Sequence, residues 1–297
     1  MQYYKYTLKP VSPFVTYPAS DTVFGQLCCM LKLMGEDLNE LLHDYESEPF
    51  VVVSNMLLNG TGSTVPKIKE QYEGKRAEKV AQMKERKKQK QKDCVLITDV
   101  LNGIIDNVFS ISASKTAQIV RNSISRISGG TEGEGFSPYS VFETFYNADA
   151  CFHLYVYAKD EYLELVTRAI KLMGKFGFGK DASTGKGRFT VDENIASIEI
   201  DDNKQYNAVY TLGNCVFEGI NCEMYYDICT RFGKHGGGDS KPFKNPVVMA
   251  KQGALLYMQN IRNPYIGKAI KGLSYYENTV HQGYSLYIPV EVGVKDE

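Results

Sequence analysis

Tryptophan is absent from the 297 residues, histidine occurs four times, and no apolar run approaches the roughly 18 residues of a membrane span. Met1 to Phe14 alternates polar and apolar groups without a signal-peptide core, so the sequence reads as a cytoplasmic protein with no membrane partner. Neither sign of charge is in surplus, because 34 Lys and Arg face 35 Asp and Glu. The seven cysteines are odd in number, include the adjacent pair Cys28 and Cys29, and nowhere take C-x-x-C spacing, which argues against a disulfide scaffold or a zinc ribbon. Cys215, Cys222 and Cys229 recur at wider spacing than metal-ligand pairs use, so buried free thiols are expected and neither metal nor cofactor is implied. His43, His153, His235 and His281 have no Ser, Cys or carboxylate at a diagnostic catalytic spacing.

What is present is a core. Hydrophobic residues make up 43% of the chain, enough to exclude global disorder, and the length suits about two domains. Gln2 to Leu8 alternates like a strand and Pro10 and Pro13 end it. Ser20 then reads as an N-cap for a helix whose Phe24, Leu27, Leu31 and Met34 share a face, with Asp21 at its positive end and Gly35 as its stop. Phe50 to Ser54 reads as a buried strand and Thr98 to Asp106 as a short helix. Cys151 to Ala158 alternates again, and Asp160 is expected to cap a second helix carrying Leu163, Val166, Ile170 and Met173 before Gly174 ends it.

Two segments interrupt this order. Residues 67–92 carry 11 Lys and Arg against 4 Glu, a local surplus of +7 that leaves the rest of the chain at -8. Such a stretch suits either a polyanion or a solvated insertion. Gln118 to Ile127 and Phe136 to Tyr146 predict a protruding hairpin, about 118–146, with a glycine-rich tip and Arg121, Asn122 and Arg126 on its stem. The underlying order, strand-helix-strand twice, predicts an α+β chain with a ferredoxin-like domain over residues 1–200. The shorter strands and one helix near Met224 to Phe232 predict a second, reduced ferredoxin-like domain over 201–297, so that two RNA-recognition-type domains stand in tandem.

The most informative stretch is Phe176 to Phe189, in which Gly177, Gly179, Gly185 and Gly187 flank a polar, basic loop. Glycines there permit positive φ and close backbone approach, while Lys180, Lys186 and Arg188 supply charge for phosphates. It is not a P-loop, since Gly179 and Gly185 enclose five residues and Gly187 follows Lys186, and not a dinucleotide fingerprint, since Ala182 replaces the third glycine and a helix precedes the loop. A tight strand-joining hairpin is the structural alternative.

Gly177-x-Gly179, five residues, then Gly185-x-Gly187-x-Phe189 resembles the glycine-rich loop of the RAMP superfamily of CRISPR RNA-binding proteins. Ala19 to Gly25, Pro66-Lys67 with its basic stretch, the hairpin from Arg121, Gln252-Gly253-Ala254 and Gly283 to Val290 extend the likeness to the fourth-subunit family of the type III-A Csm complex. The resemblance implies a non-catalytic subunit that holds the repeat-derived 5′ tag of the crRNA. It also implies docking on the large polymerase/cyclase-like subunit and the first backbone subunit, with the hairpin as a thumb near the target RNA. The implied RNA contacts are Arg121, Asn122 and Arg126 on the hairpin, and Gly177, Gly179, Lys180, Ser183, Thr184, Gly185, Lys186, Gly187 and Arg188 in the loop. Arg231 and Lys234, beside Gly236-Gly237-Gly238, either extend that surface or lie on a surface turn. Asp21 invites comparison with the cleaving Asp of the backbone subunits, although a helix-terminal role is more economical. Tyr155 and Tyr157 suit base stacking or packing. The competing readings are a metal-independent RAMP endoribonuclease using His43 or His235, and a protein scaffold without RNA contact.

Overall fold

The structure, a computed structural model, describes residues 2–66, 75–89, 92–131, 137–200, 205–235 and 242–292. The N-terminal part runs β1 (Gln2–Pro10), α1 (Ser20–Leu33), α2 (Leu38–Leu42), β2 (Val51–Val53), β3 (Leu57–Leu58), β4 (Thr61–Ser63), α3 (Arg76–Gln89), β5 (Cys94–Leu96), α4 (Ile97–Leu101), β6 (Ser114–Arg121), β7 (Tyr139–Tyr146), β8 (Phe152–Ala158), α5 (Leu163–Phe176), β9 (Phe189–Val191) and β10 (Ala196–Glu199). The C-terminal part adds β11 (Ala208–Thr211), β12 (Met224–Tyr225), β13 (Ile228–Arg231), β14 (Val247–Ala250), β15 (Leu255–Leu256), β16 (Tyr265–Gly267) and β17 (Tyr284–Val290).

The main sheet has the order β10-β1-β8-β2, antiparallel throughout, with β9 also on β1 and β3 also on β8. In chain order β1, α1, β2, β8, α5 and β10 run strand-helix-strand and then strand-helix-strand, with other elements inserted between them. Alternation along β1 and β8 sends Tyr6, Leu8, Leu154 and Val156 into the core with Phe24, Leu27 and Leu31 of α1 and Val166, Ile170 and Met173 of α5. The 3.6-residue spacing of those helical positions is why both helices lie on this one face.

Several expected boundaries move, each for a local reason. Ser20 is the first helical residue rather than the cap; it is fully buried, and its Oγ accepts from the Asn214 amide at 2.9 Å. Asp160 opens a short 3-10 turn before α5. Gly174 lies inside α5, where a Cβ would collide with the Phe189 carbonyl, and the helix ends at Gly177, with φ 96°. The short helix expected from Thr98 is the five-residue α4. In the hairpin the stem is β6 with β7, paired from Ser114 opposite Tyr146 to Arg121 opposite Tyr139. Alternation therefore ends at Arg121, and Asn-Ser-Ile-Ser after it contains turn formers, so Asn122 and Arg126 lie beyond the strand.

Of the basic stretch, 67–74 and 90–91 lie outside the described residues; within it α3 forms, and Arg76 to Lys84 are all exposed. No helix among the described residues is long and apolar enough to cross a membrane.

The C-terminal part departs most from expectation. The predicted helix near Met224 is instead β12 and β13, and no helix occurs among the described residues of 205–292. Aromatic and β-branched residues make up half of Met224 to Arg231, and the strand preference wins. A five-stranded antiparallel sheet, β12-β15-β11-β17-β16, results, with β13 and β14 as a separate ribbon. Ala208, Tyr210, Leu286 and Ile288 join the N-terminal core, while Val209, Cys215, Leu256 and Tyr287 build a smaller cluster on the other face.

Candidate nucleic-acid interface

The glycine loop leaves α5 at Gly177 and crosses itself before entering β9. Phe178 donates its amide to the Gly187 carbonyl at 2.9 Å, and its ring is fully buried, stacked 6.1 Å from Phe14. At that crossing a Cβ on Gly177 would overlap the Lys186 carbonyl, and one on Gly187 would overlap the Phe178 backbone. Both have positive φ, so glycine is required for space as well as for conformation. The loop is then moored to the segment after β1: Gly187 donates to the Pro13 carbonyl at 2.9 Å, Lys180 N–H to Thr16 Oγ1 at 2.9 Å, and Arg188 N–H to Ser12 Oγ at 2.8 Å. Internal bonds also take the amides of Thr184, Gly185 and Lys186. Among the described residues the amides of Gly179, Asp181, Ala182 and Ser183 have no such partner, a narrower cradle than four glycines suggest.

The thumb rises beside this loop. Cross-strand parity puts Arg121, Tyr139, Val141 and Glu143 on one face and Val120, Ser140 and Phe142 on the other. The inner face packs down, leaving Val141 and Glu143 only 3% and 2% exposed, while Val120 and Phe142 stand 68% and 62% exposed. Glu143 is paired with both Arg121 and Lys186, the latter at 2.6 Å, and Arg121 also reaches Asp181 at 2.7 Å. The hydrogen bond from Lys186 is the leading reason that the Glu143 carboxyl lies below its usual range. The loop and the hairpin base are thus brought together, but two of their expected phosphate ligands, Arg121 and Lys186, are engaged by acids. Lys180, Ser183, Thr184 and Arg188 are exposed on the loop, and Asn122 and Arg126 on the hairpin tip. Sequence reasoning missed Glu143 and Asp181; the available signals were a lone acid in an otherwise uncharged strand for Glu143 and an acid among the loop's cations for Asp181.

Arg231 and Lys234 belong to a different place. Arg231 Nε donates to both Asp21 oxygens, at 2.9 and 3.1 Å, and its Nη2 to Thr22 Oγ1 at 2.7 Å. Asn214 Nδ2 adds a bond to Asp21 at 3.3 Å. Asp21 therefore ties the start of α1 to the β13–β14 ribbon, with its side chain 5% exposed. Lys234 Nζ sits 5.7 Å from the Phe243 ring centre. His43 pairs with Asp44 and His235 with Ser274, each at 2.7 Å. Tyr155 is buried, and Tyr157 packs 5.7 Å from the Tyr265 ring, the packing role rather than an open stacking platform. No group of three His, Cys, Asp or Glu suited to a metal occurs among the described residues.

No protein-family model and no curated protein matches the sequence. Solved structures do. The chain aligns with one in a Csm1–Csm4 cassette bound to AMPPNP over 99% of its own length and 100% of the other, with a TM-score of 0.63 and 13% identity. A cassette bound to pppApA gives 0.62 and 13%, covering 99% of each chain. A Csm3–Csm4 subcomplex of the type III-A CRISPR-Cas interference complex gives 0.61 and 16%, covering 98% and 100%. Csm4 is the component those assemblies share. The fold is Csm4-like. The Csm4-like fold runs through both sheets, since the alignment leaves almost nothing of the chain outside it.

Proposed function

We propose that the chain is a non-catalytic, RNA-binding subunit of a type III-A CRISPR effector complex, holding the 5′ tag of the crRNA on the glycine loop. In this reading it docks the large polymerase/cyclase-like subunit and the first backbone subunit, and its thumb lies near the target RNA. The observation that carries it is the end-to-end likeness to chains solved beside Csm1 and beside Csm3. The moored glycine loop adds to this, with open amides at Gly179 and Asp181 to Ser183 next to the exposed charges of Lys180 and Arg188. The helix-free C-terminal sheet is read as the reduced partner of the N-terminal ferredoxin-like unit. A structural role for Asp21 is supported by its pairing with Arg231, which occupies both carboxylate oxygens. The endoribonuclease reading draws no support from His43 or His235, each hydrogen-bonded to a neighbour rather than set among the loop's cations.

The test is purification of the tagged chain from cells carrying its native locus, with sequencing of any bound RNA. Short RNAs sharing one repeat-derived 5′ end, together with larger subunits, are expected. Protein recovered without RNA refutes the tag-binding reading. A defined product from repeat RNA in chelator, lost in His43→Ala or His235→Ala, replaces it with the nuclease reading.

A further inference from the structure

The cations around the glycine loop fall into two sets. Arg121 and Lys186 are spent on Glu143 and Asp181. Arg188 is exposed and makes no ion pair among the described residues, and the register of the sheet continues its line away from the thumb. Thr190 lies opposite Lys9, and Val11 donates its amide to the Arg188 carbonyl at 2.8 Å. Alternate residues share a face, so Arg188, Thr190 and Lys9 stand on one side of the sheet, with Thr7 and Lys5 following on β1. On β8 the same side carries His153 opposite Thr7 and Tyr155 opposite Lys5. Lys5 and Lys9 are also without an ion pair among the described residues, and at about 3.3 Å per residue they stand about 13 Å apart with Thr7 midway.

The far end of this face is closed by the C-terminal part, through Tyr3 Oη donating to the Pro264 carbonyl at 2.8 Å and Tyr157 against Tyr265. The near end, from Lys5 to Arg188, is only partly covered. We propose that this strip, Arg188, Lys9 and Lys5, is a phosphodiester track that receives single-stranded RNA where it passes off the glycine loop. The inference rests on the RNA-binding reading above and adds residues to it.

The strip's chemistry sets how it would bind. Tyr155 is 3% exposed, so its ring is closed to base stacking, and the track would act through backbone charge without regard to sequence. Burial, and after it Lys5, push the His153 imidazole below its usual range, and a side chain at Gly60 would collide with its ring, so it forms part of the floor. Two carboxylates border the strip. Asp192 donates its amide to the Thr7 carbonyl and accepts the Asn194 amide at 3.0 Å, and Asp149 lies near Cys151. Three cations face these two acids, in a row continuous with the loop, and that continuity favours RNA over an acidic protein segment.

The experiment compares the full chain with Lys5→Gln/Lys9→Gln and Lys5→Arg/Lys9→Arg in binding uridine and adenosine oligonucleotides over a range of salt. Each lost phosphate contact removes about 0.7 from the slope of log affinity against log salt for a single strand, so the Gln variant should lose about 1.4. The loss should be equal for both bases, and the Arg variant should keep the wild-type slope. A Gln variant with an unchanged slope overturns the track while leaving the RNA reading intact. A wild-type chain with no salt-dependent RNA binding overturns both. Unchanged RNA binding with loss of a co-purifying subunit overturns the track and makes the strip a protein interface.

Discussion

The Glu143 carboxylate accepts a hydrogen bond from the Lys186 ammonium at 2.6 Å, joining the stem of the thumb to the glycine loop. Because Glu143 is buried and also paired with Arg121, it fixes where the thumb stands relative to the loop. Glu143→Gln should lower hydrogen-exchange protection across 114–121 and 139–146 while leaving Leu154 and Val156 in β8 protected. Equal loss in β8 would mean that the pair supports the whole core. The carboxyl is depressed below its usual 4.5, so its stabilisation is fully present above that value and is lost as pH falls through the folded pKa. The melting temperatures of wild type and Glu143→Gln should therefore converge in acid below pH 4.5. A gap that persists there contradicts the assignment.

His281 sits buried near Asp21, Arg231 and Lys244, its Nε2 without a hydrogen-bond partner among the described residues. Burial pushes its imidazole down to about 4 from 6.5, against the opposing pull of Asp21. The unfolded chain thus takes up a proton between those values that the folded chain does not. Stability is fully retained above pH 6.5 and should fall as pH drops from 6.5 toward 4. His281→Leu should flatten a urea-denaturation profile across that window, and a profile of unchanged steepness would show that other groups set the acid limit.

Asp21 and Arg231 make the second test of structure against chemistry. Removing one partner of a buried, hydrogen-bonded pair costs about 3 kcal/mol, because the other charge is left uncompensated. Arg231→Ala should therefore shift the urea midpoint strongly, with Asp21→Asn shifting it less because the amide still accepts from Arg231. If Asp21→Asn left stability untouched but abolished cleavage of RNA by the assembled complex, the residue would be catalytic.

Periodicity made the N-terminal half legible. Phe24, Leu27 and Leu31 in α1, Val166, Ile170 and Met173 in α5, and the alternation of β1 and β8 specify one sheet with two helices on one face. The same logic misled at Met224 to Arg231, where a short segment fits both periods and β-branched residues decide. Within the candidate site the glycines were readable from spacing alone. Glu143 was not, because its partner Lys186 is 43 residues away and only the folded hairpin brings them together. Arg231 likewise reads as a surface cation until α1 is placed against its ribbon, and then Asp21, 210 residues earlier, claims it.

The two glycines that close the loop, Gly185 and Gly187, respond differently to a methyl group. Gly185 has φ 87° with nothing within 4 Å of a built Cβ, so Gly185→Ala carries only the backbone cost of a left-handed residue, about 1–2 kcal/mol. Gly187 has φ 69° and a Cβ there would run into the Phe178 backbone, so Gly187→Ala must also break the crossing that seats Phe178 in the core. Gly185→Ala should fold with a modest loss of urea midpoint, while Gly187→Ala should yield little soluble protein or a far lower midpoint. If the two variants lost the same stability, the loop would be held only by backbone conformation, and the crossing at Phe178 would not be what shapes it.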